Sequence, residues 1–185
     1  SDTVLLIIQH PVIITTQPVG DTLCEGQNLT LSVDATGTDL SYQWKKDGAD
    51  IAGATTGTLG FTPLALTDNG NYHVVITGTC TIDSSDAVNV AVDTNVSITL
   101  QPVGDTLCEG EDITFSISAT GTVTGYQWYK DGAAIGGAIA SSLDLTNVTP
   151  TDSGSYHIEI TGECGNISSD TVLLIIQHPV IITTQ

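Results

Sequence analysis

The chain has 185 residues, a formal net charge of -18, and only three lysine or arginine residues against 21 acidic ones. Such an excess of negative charge predicts that nucleic acid and anionic membrane surfaces repel the protein, so neither is an expected partner. The most apolar run, VLLIIQHPVII, is interrupted by Gln, His and Pro. It is also far shorter than the roughly 20 apolar residues that a helix needs to cross a bilayer, and we expect no membrane insertion.

The chain is built from repeats of fixed length. The decapeptide QPVGDTLCEG begins at Gln17 and again at Gln101, and 101 minus 17 is 84. Residues 1–17 recur without change as residues 169–185, which is twice that offset. A repeat of this length is a normal size for one small domain. The predicted organisation is the last strand of a preceding repeat at 1–12, domain 1 at 13–94, domain 2 at 95–179, and the start of a further repeat at 180–185.

Apolar residues alternate with polar ones along each repeat, which predicts short β-strands separated by turns. In chain order, the predicted inward-facing residues of the first repeat are Leu29, Leu31, Val33, Tyr42, Trp44, Leu59, Phe61, Tyr72, Val74 and Ile76. Those of the second repeat are Ile113, Phe115, Ile117, Tyr126, Trp128, Leu143, Leu145, Tyr156, Ile158 and Ile160. The pattern predicts an all-β protein with two sandwiches of about seven strands each.

Two motifs of each repeat carry a family resemblance. The tripeptide YQW at 42–44 and 126–128 resembles the strand that bears the core tryptophan of immunoglobulin-like domains. The segments DNGNY at 68–72 and DSGSY at 152–156 resemble the tyrosine corner of that fold. The segments QPVGDTLCEG, TGTC and TGEC resemble repeats of very large secreted proteins of Bacteroidetes-like bacteria. The resemblance implies two tandem immunoglobulin-like domains with four aromatic core residues, Trp44, Trp128, Tyr72 and Tyr156.

The sequence departs from that family at two places. The usual inter-sheet cysteine pair is replaced by aliphatic residues, Val33 with Val74 and Ile117 with Ile158. The aspartate of the tyrosine corner usually faces an arginine, and the chain has none. We therefore expect Asp68 and Asp152 either to cap backbone amides or to face solvent.

Four cysteines in an apparently secreted chain suggest disulfides. In the sandwich that the resemblance implies, Cys24 and Cys80 lie in turns at opposite ends, about 23 Å apart for a strand of roughly seven residues. A disulfide tolerates only about 7 Å between Cα atoms. We therefore favour an interdomain bond between Cys24 and Cys164, with Cys80 and Cys108 pairing to neighbouring repeats. Bonds within each domain, Cys24–Cys80 and Cys108–Cys164, and free thiols are the alternatives.

The sequence offers no catalytic or metal-binding motif. The patterns GxSxG and HExxH are missing, so we predict neither an enzyme nor a bound metal or cofactor. His73 and His157 are expected to point outward from their strands, and Lys46 and Lys130 to be exposed beside Asp-Gly turns. An Asp-Thr-aliphatic pattern resembles the O-glycosylation signal of the same bacterial group, and it marks four threonines: Thr3, Thr22, Thr106 and Thr171.

These features favour a structural role over catalysis. The leading hypothesis is a repeat module of an extracellular bacterial filament or giant surface adhesin, whose partners are identical neighbouring repeats or subunits joined end to end. One alternative is a glycan- or protein-binding adhesion module, for which Tyr129 is the best exposed aromatic residue. Another is an accessory domain of a larger secreted enzyme. The sequence itself identifies no ligand.

Overall fold

The computed structural model describes residues 8–178. The chain divides into two compact units, with residues 1–93 in unit 1 and residues 94–185 in unit 2. The His10 carbonyl accepts a hydrogen bond from the Thr38 amide, and the Val12 amide donates to Thr81 Oγ1. These bonds tie residues 10 and 12 to unit 1. Residues 1–7 and 180–185, assigned above to neighbouring repeats, lie outside the described residues.

Between residues 8 and 93, unit 1 contains ten short strands and one turn of 3-10 helix at Leu66–Asp68. The strands are β1 (Ile13–Thr16), β2 (Asp21–Cys24), β3 (Leu29–Ser32), β4 (Asp34–Thr36), β5 (Ser41–Lys46), β6 (Ala49–Asp50), β7 (Thr58–Phe61), β8 (Gly70–Thr77), β9 (Ile82–Ser84) and β10 (Val88–Asp93).

Unit 2 repeats this order, with its 3-10 turn at Pro150–Asp152. Its strands are β11 (Ser97–Leu100), β12 (Asp105–Cys108), β13 (Ile113–Ser116), β14 (Ser118–Thr120), β15 (Val123–Lys130), β16 (Ala133–Ala134), β17 (Ser142–Leu145), β18 (Gly154–Gly162), β19 (Gly165–Ser168) and β20 (Val172–Gln177).

Each unit is a sandwich of two β layers. In unit 1 the first layer contains the antiparallel pairs β1–β4 and β3–β7, and the second has the strand order β2-β10-β8-β5-β6, with β9 also on β8. Unit 2 has the same layers, and its larger sheet has the order β12-β20-β18-β15-β16. The all-β fold class and the immunoglobulin-like arrangement of strands expected from the sequence are therefore confirmed.

The core of each unit is formed by the side chains that alternate inward along its strands. Trp44 and Trp128 are fully buried, and Tyr72 and Tyr156 are 1% exposed. Burial of an indole requires a partner for its N–H. Trp44 Nε1 donates to the carbonyl of Thr56 at 2.9 Å, and Trp128 Nε1 makes the equivalent bond to Ala140 at 3.0 Å. The aliphatic residues at the positions of the family's disulfide, Val33 with Val74 and Ile117 with Ile158, are also buried.

One strand pairing was not expected from the sequence. The sequence analysis places Cys24 in a turn, yet Cys24 ends a strand, because β2 pairs with β10 in parallel from Asp21–Val90 to Cys24–Asp93. Gly20 allows the chain to reach this strand, because a Cβ there would lie 2.0 Å from the carbonyl oxygen of Asn89. The equivalent pair in unit 2, β12 and β20, is also parallel.

Candidate functional sites: tyrosine corners, cysteines and an exposed sheet face

Each unit contains a closed tyrosine corner. The Tyr72 hydroxyl donates to the backbone carbonyl of Asp68 at 2.8 Å, and the Tyr156 hydroxyl donates to that of Asp152 at 2.7 Å. Burial, followed by the charges of nearby aspartates, raises the pKa of both phenols to about 12. The hydroxyls therefore stay protonated and keep donating over the whole physiological pH range.

The corner aspartates cap backbone amides, which is one of the two outcomes expected for them. Asp68 Oδ2 accepts from the Ala65 amide at 2.8 Å. Asp152 Oδ2 accepts from both the amide and the hydroxyl of Thr149, at 2.8 and 2.9 Å. These hydrogen bonds favour the ionised carboxylate and lower the pKa of Asp152. The caps hold the 3-10 turn in the position that the tyrosine hydroxyl reaches.

A lysine contacts the 3-10 turn of each tyrosine corner, and this role was missed by the sequence analysis. Lys46 Nζ donates to the carbonyl of Thr67 and lies 5.8 Å from the centroid of the Tyr72 ring. Lys130 Nζ makes the equivalent bond to Thr151. Both lysines are half-buried, so the expectation of exposed side chains was wrong. The reason is the strand register, which places Lys46 directly opposite Tyr72 on β5 and β8.

The cysteines occupy two kinds of position within a unit. Cys24 and Cys108 end strands β2 and β12, whereas Cys80 and Cys164 lie in the turns that follow β8 and β18. Because β2 is parallel to β10 and β10 is antiparallel to β8, Cys24 and Cys80 lie at opposite ends of unit 1. This topology excludes a bond between them. Cys24 and Cys164 are disulfide-bonded, and Cys80 and Cys108 are exposed free thiols.

The candidate glycosylation threonines that fall within the described residues are accessible. Thr22, Thr106 and Thr171 are exposed, and Thr3 lies outside the described residues. Thr22 and Thr106 belong to β2 and β12, which are edge strands of the larger sheets. The preceding aspartate accepts from the threonine amide in each case, at 2.8 and 2.7 Å.

The outer face of the larger sheet in unit 2 carries a cluster of polar and aromatic side chains. The Tyr129 and His157 rings stack with centroids 4.9 Å apart, and His157 lies on the outer side of its strand as expected. The Tyr129 hydroxyl donates to Glu159 Oε2 at 3.0 Å, which raises the pKa of Tyr129. Beside this cluster lies a hollow of about 170 Å³, lined by Glu159, Thr161, Asn166, Ile167 and Ser168.

Residues 8–178 contain neither a cluster of metal-ligating side chains nor a membrane-spanning helix. No group of three or more His, Cys, Asp and Glu side chains is arranged to hold a metal ion in that part of the chain. None of its helices is long and apolar enough to cross a membrane.

The comparisons with known proteins agree with the fold. A family model described as an Ig-like domain, CHU_C associated, matches residues 11–93. The Muscle M-line assembly protein unc-89 of Caenorhabditis elegans is 28% identical over 166 residues, which is 82% of this chain and 2% of that protein. Protein turtle of Drosophila melanogaster is 29% identical over 112 residues, which is 54% of this chain and 7% of that protein. The chain thus spans only a small part of these curated relatives.

Solved structures of other immunoglobulin domains superpose well on this chain. A variant of a titin fragment with three immunoglobulin domains has a TM-score of 0.75 at 21% identity, covering 95% of this chain and 69% of the fragment. Immunoglobulin domains 1–4 of Sidekick-1 also give 0.75 at 20% identity, covering 91% of this chain and 49% of that one. At such low identity these matches establish the fold alone. The chain is an all-β protein composed of two tandem immunoglobulin-like repeat modules.

Proposed function

We propose that this chain is a structural repeat module of an extracellular bacterial filament or giant surface adhesin. In this proposal the immunoglobulin-like domains follow one another end to end, and disulfides between successive domains stiffen the array. The partners of each module are identical neighbouring repeats or subunits. The module itself is not an enzyme and needs no cofactor.

The oxidation states of the cysteines carry the proposal. Cys24 and Cys164 are disulfide-bonded, while Cys80 and Cys108 are free thiols. Topology excludes Cys24–Cys80 as a pair, and we propose that Cys24 is bonded to Cys164. Because the chain repeats with a fixed period, Cys108 has the same place in its domain as Cys24, and Cys80 the same place as Cys164. The same bond would then link Cys108 and Cys80 to the matching cysteines of neighbouring repeats.

Three other observations support an extracellular structural role. The fixed period of the sequence is typical of arrays. Disulfides form and persist mainly in oxidising compartments, so the bonded cysteines favour a secreted protein. The match to an M-line assembly protein, as that relative's name describes it, is consistent with a role in building an extended assembly.

Disulfide mapping tests the proposal directly. The unreduced protein would be digested and the linked peptides identified by mass spectrometry. We expect a peptide pair that joins Cys24 to Cys164, and loss of this pair in a Cys24→Ser variant. Cys80→Ser is the matched control and should leave the pair intact. A Cys24–Cys80 pair, or four free thiols in material from an oxidising compartment, would contradict the proposal.

O-glycosylation of the accessible threonines is a separate part of the proposal. The edge strands β2 and β12 present Thr22 and Thr106 to solvent, and a glycan there would hinder pairing of these edges with other chains. Protein isolated from its natural host should carry added mass on peptides that contain Thr22 and Thr106. Unmodified peptides from both strands would rule this modification out.

A further inference from the structure

The outer face of unit 2 carries polar groups in a shallow hollow. On β18, Ile158 and Ile160 point into the core. Glu159 and Thr161, which alternate with them along the strand, point outward. The strand register places Ser168 opposite Glu159 and Asn166 opposite Thr161. Four polar side chains from two adjacent strands therefore converge on one hollow.

The chemistry of the lining matches a ligand with several hydroxyl groups. Glu159 supplies carboxylate oxygens that only accept hydrogen bonds, and its Oε2 already accepts from Tyr129. Asn166 can both donate and accept, as can the hydroxyls of Thr161 and Ser168. Neighbouring hydroxyls of a sugar ring present alternating donors and acceptors of the same kind. We propose that this hollow binds one sugar residue of a neutral glycan.

The charge of the lining and the volume of the hollow restrict the class of glycan that could bind. The lining has one carboxylate and no lysine or arginine, and the chain carries a net charge of -18, so an anionic glycan would be repelled. The hollow measures about 170 Å³. Pockets that enclose drug-sized ligands are larger, roughly 300–1,000 Å³, so this hollow suits a single ring. The stacked rings of Tyr129 and His157 lie beside Glu159, outside the lining of the hollow.

Unit 1 provides an internal comparison, because it has the same fold and keeps the hydroxyls of Thr161 and Ser168 as Thr77 and Ser84, but lacks the carboxylate and the amide. At the equivalent positions of the first repeat, Lys45 replaces Tyr129, Val75 replaces Glu159, and Ile82 replaces Asn166. Ile82 is 67% exposed, so packing within unit 1 does not require an apolar side chain at this position. The proposed site therefore belongs to unit 2 alone, and it goes beyond the structural role proposed for the array.

Nuclear magnetic resonance of the full chain tests the proposal. The 15N-labelled protein would be titrated with four neutral trisaccharides, namely maltotriose, cellotriose, mannotriose and xylotriose. At least one of them should shift the amide signals of residues 159–168 in a saturable way, and those of residues 75–84 should not move. The expected dissociation constant is about 1 mM, because a shallow hollow buries little of the ligand.

Substitutions that replace a lining residue of unit 2 with its equivalent from unit 1 identify the groups that bind the sugar. Glu159→Val and Asn166→Ile each introduce the residue that the same fold already carries in unit 1, and each should raise the dissociation constant at least tenfold. Glu159→Gln keeps an acceptor for Tyr129 and serves if Glu159→Val does not fold. Val75→Leu in unit 1 is the matched control and should leave binding unchanged.

Several results would overturn the proposal. One is the failure of all four trisaccharides to shift residues 159–168. Another is an equal response of both units, which would indicate a nonspecific effect of added sugar. A third is saturable binding at this hollow of trilysine but of no trisaccharide, which would make it a site for cationic peptides instead.

Discussion

Removal of the hydroxyl at the tyrosine corner should measure how much this hydrogen bond stabilises a unit. In Tyr72→Phe the ring stays in the core, where Tyr72 is 1% exposed, and only the 2.8 Å bond to the Asp68 carbonyl is lost. The bond itself contributes about 1 kcal/mol to the free energy of unfolding, and a partly buried carbonyl left without a donor adds a further desolvation cost. We expect unit 1 to lose about 2 kcal/mol, or roughly 8–16 °C in Tm for a domain of this size.

Differential scanning calorimetry of the whole chain is the appropriate assay, since it can follow the transition of each unit. Tyr42→Phe is the control, because the half-buried Tyr42 hydroxyl makes no hydrogen bond with any other residue in 8–178. Tyr156→Phe should affect unit 2 as Tyr72→Phe affects unit 1. If the free energies of unfolding of Tyr72→Phe and Tyr42→Phe differ by less than about 0.5 kcal/mol, the hydrogen bond of the tyrosine corner does not stabilise the unit as argued here.

Three further results are expected. Gly20→Ala should destabilise unit 1 by about 1–3 kcal/mol in urea denaturation, because its Cβ would lie 2.0 Å from the Asn89 carbonyl oxygen. Gly60→Ala, which meets no atom within 4 Å, should be neutral or stabilising by up to about 1 kcal/mol, and equal effects of the two changes would refute the argument. Stability should fall between pH 10 and pH 12, because the unfolded phenol ionises near 10 while that of Tyr72 ionises at about 12. Tyr72→Phe should make this loss of stability with pH smaller. If the urea midpoint depends on pH in the same way in the variant and the parent protein, the raised pKa of Tyr72 is contradicted. Lys46→Met should cost unit 1 about 1 kcal/mol by the same denaturation assay, since it removes a charged donor from the corner, and no loss would make that contact incidental.

The core of each unit could be predicted from the sequence because its signals are local. Alternation along β8 places Tyr72, Val74 and Ile76 on one face, and all three are at most 1% exposed. The tyrosine corner needs only the spacing between Asp68 and Tyr72, which fixes how far the hydroxyl reaches. These features depend on side-chain periodicity and on one short turn, and both are visible in a few consecutive residues.

The features that were missed depend on contacts between distant parts of the chain. The corner role of Lys46 follows from its register opposite Tyr72, which lies on a strand that comes much later in the chain. The polar hollow of unit 2 depends on the pairing of β18 with β19. Sequence periodicity predicts that Ile158 and Ile160 face inward, but not which polar residues of two strands come together on the outer face.

The parallel pairing of β2 with β10 determines how a unit responds to tension along the chain. The chain enters β2 at one end of the sandwich and leaves β10 at the other, and the two strands run in the same direction over four registered residue pairs. A pull on the two strands in opposite directions therefore acts along their length. The hydrogen bonds between them are loaded together in shear, whereas an antiparallel hairpin pulled from its open end would separate one bond at a time. Each unit thus places a shear-loaded ladder where its second strand meets its last.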